Sequence, residues 1–332
     1  MTARPPASAV PPLPRPPVAP GGGGWRRTPP AIFPAILGLW GLELGWRAVG
    51  EVAGFGAAAA EVMLGAVFLL WLAAGLAYVA KVARRPAVLA EEVRVLPGQS
   101  GLAAFCMAAM AASGAVIPYA PGPGAVVLAL AFAAHVALAV GMVRRFLAAP
   151  PEARVFSPVS HLVLVGPILA VGPAVALGLH LAAGVILAVT FANSVVLWAA
   201  GARALRRALP PPPLRPTLAL HLGPAALALN GAIVLGVGWL VPLMALWTVL
   251  LLVALLAATR WLTAGGFSPM WAAFTFPLAA AARALIEAGG AFAIAGALAL
   301  ALATLIVPWI ALRILRMWAD GTLAERTNAA TA

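Results

Sequence analysis

Few residues in this chain could do chemistry, and most of those lie inside apolar runs. Glu43 and Arg47 stand four apart in one run, and Arg283 and Glu287 four apart in another. That is the spacing at which helical side chains meet. Ionisable groups buried in long apolar segments are functional candidates by default. These four fit two roles: a paired outer charge network that fixes how two helices pack, or a residual cationic charge at Arg47 or Arg283 that draws anions in. His161 and His221 stand near the ends of two further runs and His135 within another. None has metal-ligand spacing to a second His, Cys or carboxylate, so they read as interfacial or hydrogen-bonded histidines. Glu61, alone in its run, could serve proton coupling, but a position near the surface, in reach of water, fits it better. Asn193 and Asn230 read as hydrogen bonders between helices. The one cysteine, Cys106, sits in an apolar run. It excludes a disulfide framework and a Cys-based metal site, and it packs as a small hydrophobe. There is no H-E-x-x-H and no G-x-S-x-G. An enzyme is therefore not expected, nor is a cofactor or a metal.

Phe276-Pro277 offers something other than covalent chemistry. It lies in the stretch from Phe267 to Leu278, FSPMWAAFTFPL. A proline inside an apolar helix removes a backbone N–H, kinks the helix and frees a carbonyl that lipid cannot satisfy. The bend must face protein or a water-filled cavity, and the neighbouring aromatic is placed to plug that cavity. Pro34, Pro167, Pro173 and Pro224 are further breakers of the same kind.

The elements that carry these residues are membrane spans. Of 332 residues, 64% are hydrophobic and only 9% charged, against about 25% charged in soluble domains. A span needs about 20 apolar residues. Ten are expected, near 31–50, 57–80, 100–119, 123–143, 158–179, 181–202, 217–236, 239–259, 268–288 and 291–314. Connections after the odd spans are short, and those after the even spans are longer and charged. The fold class is therefore an all-α integral membrane protein of ten helices in five antiparallel hairpins. The breakers concentrate in the odd spans, which predicts five kinked inner helices forming a pore inside five outer ones.

Charge orients the chain. All of the 21 Lys and Arg residues except Arg47 and Arg283 fall in the N-terminal tail, in loops after even spans or from the end of the last span onward. The positive-inside rule then puts both termini in the cytoplasm and His161 and His221 near a cytoplasmic mouth. The net charge of +12 is scattered over short loops, which speaks against nucleic acid as a partner. Residues 1–29, rich in Pro and Gly, read as a disordered cytoplasmic tail, 30–318 as the channel domain and 319–332 as a cytoplasmic C-terminal tail.

Four segments in order carry a resemblance. Pro34 to Leu39, Gly166-Pro167 through Gly172-Pro173, Arg215-Pro216-Thr217-Leu218 with Gly223-Pro224, and above all Ser268 to Leu278 resemble the slow-type anion channel and tellurite-resistance/dicarboxylate transporter family. The resemblance spans nearly all of 30–318. It implies a homotrimer in a plasma membrane, of the bacterial inner-membrane kind, each protomer with its own pore closed by Phe276. Ala272 stands where the family motif has a second tryptophan, and Phe274 where it has a tyrosine. The expected function is an anion channel or facilitator for small inorganic or carboxylate anions. The alternative is a secondary transporter that exports C4-dicarboxylate, sulfite or tellurite-type oxyanions.

Overall fold

The computed structural model describes residues 24–150, 152, 154 and 156–332, and among these no strand occurs. The first part of the expected N-terminal tail, residues 1–23, lies outside the described residues. Nine helical stretches among them are long and apolar enough to cross a membrane. The first hairpin is Phe33–Ala53 (α1) and Ala57–Arg84 (α2). The short Ala87–Glu92 (α3) leads to Leu96–Val116 (α4) and Pro121–Ala148 (α5). The expected fifth span is broken into Ser160–Leu164 (α6), a 3-10 turn Gly166–Ala170 and Val171–Ala176 (α7). His180–Arg207 (α8) follows. A 3-10 stretch Pro212–His221 feeds Leu222–Val234 (α9), which turns back as Leu240–Ala257 (α10) and the short Thr259–Leu262 (α11). A 3-10 stretch Pro269–Phe274 feeds Thr275–Ala288 (α12), and Gly290–Ala319 (α13) and Thr322–Arg326 (α14) end the chain.

Burial separates the spans into two sets. The apolar stretches of Pro30–Ala53, Leu96–Val116, Pro212–Val234 and Pro269–Ala288, which contain α1, α4, α9 and α12, are 67%, 72%, 67% and 72% buried, whereas those of α2, α5, α8, α10 and α13 are 17% to 28% buried. The buried set closes on itself. α1 packs on α4 and α12, α4 on α6 and α7, α7 on α9, and α9 on α12. The exposed set lies around it, α2 on α1, α5 on α4, α8 on α7, α10 on α9, and α13 on both α12 and α1. Small residues allow the close approach. Gly38 has no room for a side chain beside Thr275, and a Cβ at Gly41 would stand 3.0 Å from the Ala279 methyl and 3.1 Å from the Phe276 ring.

The prolines do something different from the expected mid-helix kinks. Pro34 is in the first turn of α1, Pro173 of α7, Pro224 of α9 and Pro277 of α12. Each follows a 3-10 stretch, and Pro167 opens one. The first four N–H groups of an α-helix have no intrahelical acceptor, so a proline there sacrifices nothing and fixes φ for the helix to start. These spans begin tight and narrow and then relax into α-helix partway along.

The carbonyls freed at the breaks are met by the outer helices. Pro167 cannot donate to Val163, and the Ile168 N–H turns to Val165 O. Val163 O accepts from His135 Nε2 of α5 at 3.0 Å, and Leu164 O from Asn193 Nδ2 of α8 at 3.1 Å. Trp198 Nε1 of α8 donates to His221 O at 3.1 Å, where the 3-10 stretch meets α9. Backbone that lipid could not satisfy is thus satisfied by side chains.

The two ends of the described residues are tied together. Residues 24–29, counted in the expected N-terminal tail, include a 3-10 turn and the fully buried Thr28. Arg27 reaches Glu325 of α14 at 3.4 Å, and Leu323 of α14 is fully buried.

Candidate functional site

The buried set encloses three small cavities, and Phe276 borders all of them. The first lies toward the side of the chain termini, beside Ser100, Val159, Thr217 and Met270. The second lies beside Met107, His161 and Gly166. The third lies on the far side, between Gly41, Leu169, Asn230 and Arg283. The Phe276 ring is 5% exposed and lies against Gly41, whose missing side chain leaves it that space. Phe276 is the second residue of α12, held where the 3-10 stretch ends. Thr275 Oγ1 fastens that junction, donating to Ala272 O at 2.7 Å and lying 3.3 Å from Pro34 O of α1. Phe274, two positions earlier, faces the other way, into a cavity toward α10 and α13.

The walls carry little fixed charge. Ser100, Thr217, His161, Asn230 and Arg283 are the polar residues bordering the three cavities, among apolar neighbours. Arg283 Nε holds Glu287 at 2.7 Å, and Asn230 Nδ2 of α9 holds the other Glu287 oxygen at 2.5 Å. The expected outer network is therefore divided. Glu43 and Arg47 pair at 3.0 Å, and Arg47 also reaches Glu61 of α2 at 3.2 Å. No ion pair joins this cluster to Arg283–Glu287 among the described residues. The turn at residues 54–56 returns α2 past α1 and brings Glu61 within ion-pair distance of Arg47. Glu61 is half exposed, as expected, yet it is not alone.

His161 and His221 meet. His161 Nε2 lies 2.8 Å from His221 Nδ1, with the rings edge to face. His161 borders the second cavity, and Phe156 stacks on His221. No group of three or more metal-ligating side chains occurs among the described residues. Pro34 borders the first cavity, Pro224 the second, and Pro277 both.

A polar cluster absent from the sequence reading lies at the terminal side. Lys81, fully buried, donates to Glu92 at 2.5 Å and to Thr28 O at 2.9 Å, and Tyr78 Oη donates to the second Glu92 oxygen. The signal was Glu91-Glu92 in an otherwise basic loop.

A family model described as voltage-dependent anion channel matches residues 27–317. The chain belongs to the voltage-dependent anion channel family. No curated protein matches it. The family is one of transport proteins that move anions across membranes, which agrees with the nine apolar helices among the described residues. In this family member the match begins at Arg27, at the segment anchored by Lys81, and ends within α13.

Proposed function

We propose that the chain is an anion channel or facilitator whose path runs through the three cavities and is closed by the Phe276 ring. The broken stretch 158–179 serves as the tenth span, completing five hairpins with the odd spans inside. One observation carries the reading: a single aromatic ring borders all three cavities, between those at the terminal side and the one at Arg283. A ring across a narrow apolar path blocks ions by sterics and dewetting. Gly41 leaves the space in which the closed ring lies. The sparse polar lining suits conduction, since a site that binds weakly also releases. Arg283 supplies the one cationic side chain on these walls, while Glu287 and Asn230 hold it in place.

A coupled carrier is the second reading, favoured by the His161–His221 pair beside the middle cavity, where a proton could be held with the anion. We further propose a homotrimer in a plasma membrane with both termini cytoplasmic, as the resemblance and the basic loops imply.

The experiment is a current recording from the full chain in liposomes under gradients of chloride, nitrate and a C4-dicarboxylate. A channel gives a current reversing at the anion's equilibrium potential at every pH. A carrier shifts that potential with the proton gradient. Absence of flux for all three anions overturns both readings.

A further inference from the structure

On the face of the 269–278 segment turned away from the three cavities lies a fourth, of about 120 Å³. It is a crevice between α10 and α13. Leu255 and Leu256 line one side, Ile306 and Ile310 the other, and Trp271 and Phe274 close its depth. Leu256 at its rim is 48% exposed. The only hydroxyls on its wall are spent on backbone: Thr259 Oγ1 on Leu255 O and Leu256 O, Thr263 Oγ1 on Thr259 O. Nothing in it would hold a polar solute.

Its surroundings are cationic. Arg260 lies in α11, one residue beyond Thr259 of the rim, and is exposed. The Arg313 guanidinium lies 4.9 Å over the Phe267 ring and 4.6 Å over Trp309. Both rings pack on Trp271, at 5.5 and 5.9 Å between centroids. Neither arginine has a carboxylate partner among the described residues. An apolar slot on the exposed face of a membrane-spanning fold, with two uncompensated cations at its terminal-side end, matches an amphiphile with an anionic head. A straight helix from a second copy would cover the rim but would not reach the depth at Phe274, whereas a flexible hydrocarbon chain does both.

We propose that this crevice binds an anionic phospholipid, one acyl chain entering between α10 and α13 and its phosphate resting on Arg313 and Arg260. The chain end would then lie against Phe274 and Pro277, behind the junction that holds Phe276. The site itself stands on the crevice and its charges, independently of any gating role for Phe276.

The test is native mass spectrometry of the full chain in mild detergent, with palmitoyl-oleoyl phosphatidylglycerol or the matching phosphatidylcholine. The wild type should retain phosphatidylglycerol and prefer it over phosphatidylcholine. Ile306→Trp, which fills the crevice, should lose the retained lipid. Arg313→Gln, at an exposed position that spares the fold, should keep the crevice but reduce the preference by about fivefold, the value of one basic residue near an anionic head. Equal retention by wild type and Ile306→Trp, or no headgroup preference in the wild type, overturns the proposal. So does a wild-type oligomer that Ile306→Trp dissociates with no change in retained lipid. Should Ile306→Trp fail to fold, an Arg313→Gln preference equal to that of the wild type is by itself decisive against it.

Discussion

Phe276→Ala should raise anion conductance by about ten- to hundredfold. The ring is 5% exposed and borders all three cavities. Opening the path means lifting it from its packing. Burying a Phe side chain is worth about 1.5–3 kcal/mol. If that packing is the dominant part of the barrier, removing the ring lowers the barrier by the same amount. At about 1.4 kcal/mol per factor of ten, this gives the stated range. Phe274→Ala is the internal control. It deletes an equal ring two positions away, but one that faces α10 and α13, so its conductance should stay within about twofold, since two positions on a helix face different sides. The assay is macroscopic current from equal amounts of each variant in liposomes, after checking that all three elute alike in detergent. Equal increases from both substitutions, or no increase from Phe276→Ala, would refute the argument.

Three further predictions concern charge and topology. Glu92→Gln leaves Lys81 buried without its counter-ion, which typically costs about 3–5 kcal/mol; thermal unfolding in detergent should fall clearly and recover most of the loss in Lys81→Met/Glu92→Gln. Arg283→Gln should fold normally and lower conductance most at low salt, where long-range attraction is least screened; an effect equal at all salt concentrations would remove its role in anion entry. Arg94→Cys, on an exposed loop residue, should resist an impermeant thiol reagent in intact cells while Gly122→Cys reacts, and the reverse pattern would invert the topology.

The spans were legible because hydrophobic length is written locally: α2, α5, α8, α10 and α13 each read as a single apolar run. The inner set was legible through its prolines, but their effect was not. A proline in an apolar stretch has the same appearance whether it bends a helix or begins one, and only the preceding 3-10 turn distinguishes the two. His135 and Asn193 were recognised as hydrogen bonders, yet their acceptors, Val163 O and Leu164 O, become available only through a break about 30 residues away in sequence. The second partner of Arg47 was missed for a similar reason. Helical spacing identifies Glu43, while Glu61 depends on how tightly the turn at residues 54–56 folds back. Lys81 read as a loop charge because its burial comes from the Thr28 segment lying over it.

The register along the inner helices has an electrostatic consequence. Gly38 sits by Thr275 and Gly41 by Phe276 and Ala279, so α1 and α12 run in the same direction. Gly223 sits by Pro277 and Asn230 by Glu287, so α9 runs with them. Each helix carries a backbone dipole equivalent to about half a positive charge at its start. Here the starts of α9 and α12 lie side by side at the level of Phe276, with α1 starting at Phe33, about one turn before Gly38 that faces Thr275, and each is opened by a proline-bearing turn. The field that favours an anion there is built from peptide groups and does not titrate. A selectivity bias of this origin would persist across pH and would be left intact by replacing any single ionisable side chain.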